Sequence, residues 1–372
     1  MSVILFKFAF IYKIISMLND TASIKVTLTK NSHINQVDWD NIPFGRIFSD
    51  HMLVMDYKDG EWGQPEILPF GDLSLNPATS ALHYGQSVFE GMKANKAENG
   101  DVFIFRPEMN AKRFRESCER MCMATIPDDV FVELVRKIVD IERDWISTKP
   151  DYSLYIRPFM FATDDFIGVK PSETYKFVIF TCPVGAYYTE PVSVKIEEHY
   201  TRAAAGGVGL AKTAGNYAAA LYPAKQGQLN GFHQLVWTDA KEHKYIEECG
   251  TMNILFVING VLVTPSEDSD TILKGTTKRA VLEVAQSWGM KVEERKVLVE
   301  EVIKGIKDGS ITEVFGAGTA ATIAHIVKVG FRDELIELSP VETRTFSNKV
   351  KNYLDDLKSG KIEDTNNWCL KV

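Results

Sequence analysis

Lys212 is the one cationic side chain in a segment that otherwise carries almost no charge. Within residues 208–220 the only other ionisable side chain is that of Tyr217. A lysine in such a segment either points into solvent or is desolvated, and desolvation leaves the neutral amine that Schiff-base chemistry requires. The segment by itself favours the solvent-facing interpretation. Lys212 is therefore a candidate for amine chemistry that needs support from other residues.

Two carboxylates precede an apolar strand. Glu247 and Glu248 come shortly before residues 254–258, which read Ile-Leu-Phe-Val-Ile. A charged loop ahead of a strand is the simplest interpretation of this pattern. A carboxylate at the mouth of a buried strand could instead pair with a cationic ring nitrogen, and the local pattern leaves both interpretations open.

Two glycine-containing loops offer backbone N–H groups to a phosphate. Residues 273–277 (LKGTT) open a helix, so the unpaired N–H groups and the positive end of the helix dipole point toward whatever lies there. Residues 316–319 (GAGT) follow a strand and can form a nest of N–H groups that a hydroxyl closes. Each loop alone is also consistent with an ordinary turn, since Gly-Thr helix starts are common.

Residues 206–213 (GGVGLAKT) nearly match the phosphate-binding loop G-x-x-x-x-G-K-[ST], but Ala211 stands where the last glycine belongs. The segment follows RAAA at residues 202–205 and not an apolar strand. No later aspartate on an apolar strand is an obvious magnesium ligand. A nucleotide-dependent phosphotransferase is therefore a weak alternative.

The aromatic stretch at residues 81–94 contains His83, Tyr84, Phe89 and Glu90, and a packed core would explain it as well as a pocket. The seven histidines show no metal-binding spacing such as HExxH. No Ser-His-Asp or Cys-His arrangement is favoured by order and context. The sequence therefore predicts no metal site.

The composition is that of an ordinary globular protein. Of 372 residues, 45% are apolar and 25% are charged, and 42 Lys+Arg against 50 Asp+Glu give a net charge of −8. These values exclude a disordered, collagen-like, coiled-coil or multi-span membrane protein. The negative charge argues against a general binder of nucleic acid or anionic membranes. The five cysteines include no CxxC pair, which favours reduced thiols and a cytoplasmic location.

The N-terminus is unusual for such a protein. Residues 3–18 are almost all apolar, but they are fewer than the roughly 20 residues that span a bilayer. Neither an early positive charge nor a small-residue cleavage site clearly marks a signal peptide. We expect that the start codon has been assigned too far upstream, with a membrane-surface anchor as the alternative, and we treat residues 1–40 as an extension.

Periodicity and turn signals predict strands and helices in both halves of the chain. The predicted strands are residues 101–105, 175–182, 232–237 and 312–315. Four helices are predicted: one capped by Asn110, one that starts after residues 127–128, one near residues 216–226 and one that starts after Gly275. Asn259-Gly260, between two apolar runs, is the strongest hairpin signal. We predict an α+β fold with domains at residues 41–186 and 212–372, joined by a Gly-, Pro- and Ala-rich crossover at residues 187–211.

Several motifs occur together along the chain. They are SALHYGQSVFEGMK at residues 80–93, FRPEMN at 105–110, LYIRP at 154–158, KTAGNY at 212–217, ECGTMN at 248–253, ILKG at 272–275 and FGAGTA at 315–320. In this order they resemble the branched-chain amino-acid aminotransferases, pyridoxal-phosphate enzymes of fold type IV. The resemblance runs from about residue 44 to residue 326 and continues more weakly to the C-terminus. It implies a smaller N-terminal α/β domain and a larger C-terminal, pseudobarrel-like α+β domain.

The resemblance implies pyridoxal 5'-phosphate as the cofactor. By position Lys212 matches the lysine that bonds to the cofactor and later moves the Cα proton, and Glu248 matches the carboxylate that keeps the pyridine nitrogen protonated. Tyr217 falls where a phenol hydrogen-bonds the ring oxygen, and Arg113 matches the phosphate-binding arginine. The other implied cofactor residues are Thr251, Leu273, Gly275, Thr276, Thr277 and Thr319.

The resemblance also implies a pocket that accepts both branched aliphatic side chains and the γ-carboxylate of glutamate. The aromatic walls of this pocket match Phe44, Tyr84, Phe89 and Tyr187. The group that would bind the distal carboxylate matches Tyr84, Tyr155 and Arg157, and backbone amides near Thr319 and Ala320 would bind the α-carboxylate. Ile167 and Val169 match positions that close the pocket from another subunit, which implies a homodimer. Arg202 matches a position near the cofactor and carries less weight.

Two departures from the family pattern are informative. Some animal members carry a CxxC redox pair just after the Gly-Thr loop, whereas residues 319–325 (TAATIAH) contain no cysteine. Thiol control is therefore not expected there. Lys274 replaces the proline expected in the Leu-x-Gly loop, which can alter the rigidity of the loop but leaves its backbone donors.

The implied reaction moves the amino group of leucine, isoleucine or valine to 2-oxoglutarate in two half-reactions of ping-pong type. A D-amino-acid aminotransferase or an aminodeoxychorismate lyase of the same fold is the nearest alternative. A non-catalytic relative without cofactor is disfavoured because both Lys212 and Glu248 are present.

Overall fold

A computed structural model describes residues 24–185 and 190–372. The chain divides into two compact units, Met1–Gly185 with Lys358–Val372, and Ala186–Leu357. The apolar residues 3–18 and Tyr187 lie outside the described residues, so the expectations for them stay predictions. Among the described helices, none is long and apolar enough to cross a bilayer.

The first unit is built on one large sheet. Its elements up to residue 185 are β1 (Lys25–Val26), β2 (His51–Lys58), β3 (Glu61–Trp62), β4 (Glu66–Pro69), α1 (Ser80–Tyr84), β5 (Ser87–Phe89), β6 (Met92–Lys96), β7 (Val102–Phe105), α2 (Pro107–Arg120), α3 (Asp128–Ile141), β8 (Ser153–Ala162) and β9 (Tyr175–Val184). The strands lie in the order β4-β2-β9-β8-β6-β7 with antiparallel neighbours, and β5 also pairs with β8.

Helices α2 and α3 pack on this sheet through apolar side chains. In α3, Val130, Leu134 and Ile138 recur every four residues and are at most 3% exposed. Phe114 of α2 lies edge-on to Phe177 of β9, with ring centroids 5.5 Å apart. Burial of each such side chain contributes about 1.5–3 kcal/mol, so α2 is firmly held against the sheet.

The second unit contains a closed barrel of strands. Its elements are β10 (Val192–Ile196), α4 (Ala214–Leu229), β11 (Gln234–Thr238), β12 (Tyr245–Cys249), β13 (Met252–Ile258), β14 (Val261–Thr264), α5 (Thr276–Ser287), β15 (Val292–Glu294), β16 (Val297–Leu298), α6 (Val299–Asp308), β17 (Ile311–Gly318), β18 (Thr322–Phe331), β19 (Glu334–Glu337) and α7 (Phe346–Lys358). The order β13-β17-β18-β10-β11-β12 closes because β12 also pairs with β13. This ring fits the predicted pseudobarrel and gives its members hydrogen-bond partners on both sides.

The hairpin predicted from Asn259-Gly260 is present. β13 and β14 are antiparallel, with Ile258 opposite Val261. Asn259 and Gly260 have φ values of 49° and 78°, the left-handed pair that a two-residue type I′ turn requires. The sequence signal is confirmed because turn chemistry is local.

The C-terminus returns to the first unit. β20 (Cys369–Lys371) pairs antiparallel with β7 at the edge of the first sheet. Residues 212–372 are predicted from the sequence to form one domain, whereas the structure assigns Lys358–Val372 to the first unit. Local periodicity did not reveal the return, because a three-residue strand is stabilised by a partner more than 260 positions away.

Candidate active site

Lys212 lies two residues before α4, in a loop held by side-chain hydrogen bonds. Its Nζ donates to the hydroxyl of Tyr217 at 2.9 Å, and both side chains are partly buried. The Nδ2 atom of buried Asn216 donates to the carbonyls of Val208 at 2.8 Å and Ala211 at 2.9 Å. These contacts fix the backbone that carries the amine, so the amine is oriented by the fold.

Glu248 is a buried carboxyl on β12, with 4% of its surface exposed. Its Oε1 accepts a hydrogen bond from the backbone N–H of Leu273 at 2.6 Å, and its Oε2 lies 3.0 Å from Nε of Arg202. Burial raises the pKa of Glu248, and the Arg202 charge and the Leu273 N–H oppose that rise. The charge of Lys212 also lowers the pKa of Glu248.

Arg202 joins three segments of the second unit. Besides Glu248, its guanidinium donates to the carbonyl of Gly209 at 3.3 Å and to the carbonyl of Thr271. The side chain is only 9% exposed. From the sequence, Arg202 carries less weight than Glu248, although an isolated arginine ahead of Ala-Ala-Ala-Gly-Gly is a usable signal.

Asn253 connects Glu248 to both predicted phosphate loops, although it is not among the site residues predicted from the sequence. It lies opposite Glu248 on β12 and opposite Ala317 on β17. Its Nδ2 donates to the carbonyl of Leu273 at 2.9 Å and lies 3.5 Å from Oε1 of Glu248. A Cβ atom added at Gly275 would be 3.0 Å from Cγ of Asn253 and nearer still to Oδ1, so the close approach requires glycine. Its place at the end of the ECGTMN motif was the available signal.

The N-terminus of α5 is suited to an anion. Gly275 is the N-cap residue, and no described side chain caps the helix. Thr276 and Thr277 in the first turn are 6% and 4% exposed. The first-turn N–H groups of a helix lack intrahelical partners and carry the positive end of the dipole, so this turn can bind a phosphate.

The predicted nest at residues 316–319 requires a correction. Gly316 and Gly318 belong to β17, where they lie opposite Ala324 and Thr322 of β18. A Cβ at Gly316 would be 2.7 Å from the Met252 side chain, so the glycine serves strand packing. The extended ladder prevents a concave nest there, and donors to an anion would have to come from the turn at residues 319–321.

Four side chains of the predicted substrate pocket meet in the first unit. Nη2 of Arg157 donates to the Tyr155 hydroxyl at 2.9 Å, and the guanidinium carbon lies 4.7 Å from the ring centroid of Phe89. Phe44 contacts Tyr155 edge-on, with ring centroids 5.3 Å apart. Nε of Arg157 is buried and has no hydrogen-bond partner among the described residues. An oriented guanidinium with such a donor can bind a carboxylate.

Arg113 is held by the carboxylate of Glu90, a residue that stands out in the sequence only as part of an aromatic stretch. Its Nε and Nη2 donate to the two oxygens of Glu90 at 2.7 and 2.9 Å, and Nδ2 of Asn110 donates to Glu90 at 2.7 Å. Glu90 is completely buried, and Arg113 is 7% exposed. Asn110 is therefore not the predicted helix cap. α2 begins at Pro107, whose fixed φ favours the first position of a helix.

The remaining predicted residues are at exposed positions. Tyr84 ends α1 and is 43% exposed, Ile167 and Val169 are 61% and 90% exposed, and Thr251 is exposed in the turn between β12 and β13. Thr319 and Ala320, in the turn after β17, are partly exposed.

The nucleotide-binding interpretation of residues 206–213 gains no support from the local structure. β10 ends at Ile196, and turns, not a strand, lead from there to Lys212. The lysine donates to Tyr217. A strand–loop–helix arrangement, which a phosphate-binding loop needs, is therefore absent from this described segment.

Comparison with known proteins identifies consistent relatives. The family model for amino-transferase class IV matches residues 87–329. "Branched-chain-amino-acid aminotransferase 2" of Bacillus subtilis (strain 168) is 42% identical over 360 residues, which cover 96% of this chain and 98% of that protein.

Solved structures agree with this similarity. The Escherichia coli branched-chain amino acid aminotransferase is 25% identical, with a TM-score of 0.70 over 86% of this chain and 98% of that one. The T.th. branched-chain amino acid aminotransferase complexed with N-(5'-phosphopyridoxyl)-L-glutamate has the same fold, with a TM-score of 0.67 at 21% identity over 85% of this chain and 97% of that one.

Proposed function

The chain belongs to the amino-transferase class IV family, and we propose that it transfers the amino group of leucine, isoleucine or valine to 2-oxoglutarate, giving the branched-chain 2-oxo acid and L-glutamate. The observation that carries the proposal is the arrangement of Glu248, buried between Arg202 and the Leu273 N–H beside the start of α5. A relative 42% identical over nearly the whole chain supports the substrate class.

The residues of the second unit fit pyridoxal 5'-phosphate. The helix N-terminus at α5, which no described side chain caps, suits a phosphate, and the buried carboxyl of Glu248 suits a cationic ring nitrogen. Lys212 would supply the amine that holds the cofactor through its aldehyde group. When bound, the cofactor supplies an electron-withdrawing ring and carries the amino group between the two half-reactions.

Each residue then has a separate task. The Lys212 amine accepts the substrate Cα proton and later returns a proton, acting as general base and general acid in turn. Tyr217 accepts a hydrogen bond from Nζ and keeps the amine oriented. The Glu248 carboxylate would pair with the protonated ring nitrogen of a bound cofactor. The charge of Arg202 helps to keep Glu248 ionised, because it opposes the rise in the pKa of Glu248 that burial causes.

Arg113 is proposed as a phosphate contact, with its guanidinium plane fixed by Glu90. The bidentate geometry leaves the side chain little freedom to rotate. The two donors given to Glu90 are not available to a phosphate, so any contact uses the remaining guanidinium edge.

The substrate side chain is proposed to lie against the aromatic group of the first unit. Phe44 and Phe89 provide apolar surface for leucine, isoleucine and valine. Arg157 and the Tyr155 hydroxyl are the polar groups that a γ-carboxylate of glutamate or 2-oxoglutarate requires. Tyr84, Tyr187 and the amides near Thr319 and Ala320 are further proposed contacts from the sequence resemblance.

A homodimer is proposed because Ile167 and Val169 are strongly exposed apolar side chains at positions implied to complete another subunit's pocket. Sedimentation equilibrium tests this: a dimer that dissociates when Val169 is changed to Asp supports the proposal, and a monomeric native protein contradicts it. A cytoplasmic location is proposed on the cysteine pattern alone.

The near-visible absorbance of the purified protein, loaded with pyridoxal 5'-phosphate, tests the activity. We expect a cofactor band that L-leucine removes and 2-oxoglutarate restores. If the band responds to a D-amino acid or to aminodeoxychorismate but not to L-leucine, the protein is still a pyridoxal-phosphate enzyme of this fold, but the proposed substrate is wrong. Absence of any band after addition of the cofactor would contradict the role of Lys212, and Lys212→Ala is the control.

A further inference from the structure

Gly91 lies at the junction of β5 and β6, directly against a predicted specificity residue. A Cβ atom added there would lie 2.9 Å from Cζ of Tyr155 and nearer still to its hydroxyl oxygen. Real Cβ atoms essentially never approach another heavy atom so closely. The backbone of Gly91 is not in the left-handed region, so the requirement for glycine is steric.

Hydrogen bonds hold the backbone at Gly91, so it cannot easily move away from Tyr155. The N–H of the preceding Glu90 donates to the carbonyl of Pro158 at 2.7 Å. The Gly91 carbonyl accepts from Nδ2 of Asn110 at 3.3 Å, and the Gly91 N–H donates to the Glu90 carboxylate at 3.1 Å. Any added volume must therefore be accommodated by Tyr155.

The side chain of Tyr155 is also confined by its neighbours. It is 8% exposed, clusters with Cys182 and Val184, and is touched edge-on by Phe44. Its hydroxyl accepts the hydrogen bond from Arg157. Displacement of the phenol by a methyl group at position 91 would therefore break or lengthen the Tyr155–Arg157 hydrogen bond.

We propose that Gly91 is a positioning residue for the distal carboxylate of the amino-group acceptor. By lacking a side chain it leaves room for the Tyr155 hydroxyl beside the β5–β6 junction, where that hydroxyl accepts the hydrogen bond that orients Arg157. The inference rests on the proposed function, because it assumes that Tyr155 and Arg157 bind the γ-carboxylate. Branched-chain substrates have no such carboxylate, so Gly91 affects one half of the reaction more than the other.

The test is Gly91→Ala, with each half-reaction followed separately by the cofactor absorbance. Hydrogen bonds to charged groups contribute about 1.5–3 kcal/mol, so we expect the apparent affinity for L-glutamate and 2-oxoglutarate to fall roughly tenfold or more. The apparent affinity for L-leucine should change by less than about threefold, because leucine has no distal carboxylate for Tyr155 and Arg157 to bind. Equal losses for both substrate types would overturn the proposal.

Gly71→Ala is the matched control, because Gly71 is exposed, has no heavy atom within 4 Å of an added Cβ and lacks a left-handed φ. It should change neither half-reaction. Arg157→Gln tests the carboxylate assignment separately from the role of Gly91. If Arg157→Gln leaves glutamate binding intact, the carboxylate assignment fails, whereas a selective loss in Arg157→Gln without one in Gly91→Ala overturns the role of Gly91 alone.

A thermal-unfolding cycle covers the case in which Gly91→Ala folds poorly. The substitution should lower the Tm in the native background and have little effect in Tyr155→Ala, where the space is vacated. An equal loss of Tm in both backgrounds would show that position 91 does not act through Tyr155 and would contradict the proposal.

Discussion

The Nε atom of Arg202 lies 3.0 Å from Oε2 of Glu248, and both side chains are at least nine-tenths buried. The pair joins the crossover segment to β12, 46 positions later in the chain. Removing one partner of a buried ion pair leaves an uncompensated charge, which costs more than the pair itself contributes. Arg202 is therefore as much a part of the site as the carboxyl it holds.

Changing Arg202 to Gln should lower the free energy of unfolding by about 3–5 kcal/mol at neutral pH, because Glu248 then stays buried without its cation. Urea denaturation of the unloaded protein measures this loss. Arg332→Gln is the control, since Arg332 pairs with Glu198 at the surface, where ion pairs contribute little. Similar losses in both variants would contradict the importance of burial.

Changing Lys212 to Ala should reduce transamination by at least roughly 10²–10⁴-fold, the contribution of general acid–base catalysis alone. The fold should persist, because Lys212 is only partly buried and its Tyr217 contact is local. Lys225→Ala, an exposed lysine on α4, should retain normal turnover with the same circular dichroism spectrum. Near-normal turnover in Lys212→Ala would refute the mechanism.

Glu247 should make stability depend on pH. Burial raises the pKa of Glu247 above its ordinary value of 4.5, while the hydrogen bond from Thr271 opposes the rise. A carboxyl whose folded pKa is raised stabilises the fold fully below its unfolded pKa, and this contribution is lost as pH rises through the folded value. The unloaded native protein should therefore lose stability relative to Glu247→Gln as pH rises from 4.5. A constant difference between their urea midpoints across this range would contradict the prediction.

Two bidentate arginine–glutamate pairs of similar geometry differ in burial. Both oxygens of Glu90 accept hydrogen bonds from Arg113, at 2.7 and 2.9 Å, in the interior. Both oxygens of Glu133 accept hydrogen bonds from Arg136, at 2.7 Å, where the two side chains are 27% and 30% exposed. Glu90→Gln should cost about 3–5 kcal/mol of unfolding free energy and Glu133→Gln less than about 1 kcal/mol. Chemical denaturation of both variants tests this, and equal costs would contradict it.

Local sequence was sufficient for the features that depend on neighbouring residues. Asn259-Gly260 specified its turn because few other residues adopt left-handed φ at both positions. Gly275 marked the start of α5, and the alternation and composition of the strands indicated an α+β fold. Lys212 and Glu248 were selected as chemically capable side chains from their segments and from motif order.

Tertiary structure decided which of these side chains meet. The Arg202–Glu248 pair, the capture of Arg113 by Glu90 and the contact of Gly91 with Tyr155 join residues between 23 and 64 positions apart. Residues 316–318 belong to a strand because β13 and β18 pair with β17 on its two sides, and β20 forms because β7 offers an edge. Composition and periodicity report the preference of a residue for a local conformation, whereas strand register and buried ion pairing depend on partners that only the folded chain brings within hydrogen-bond distance.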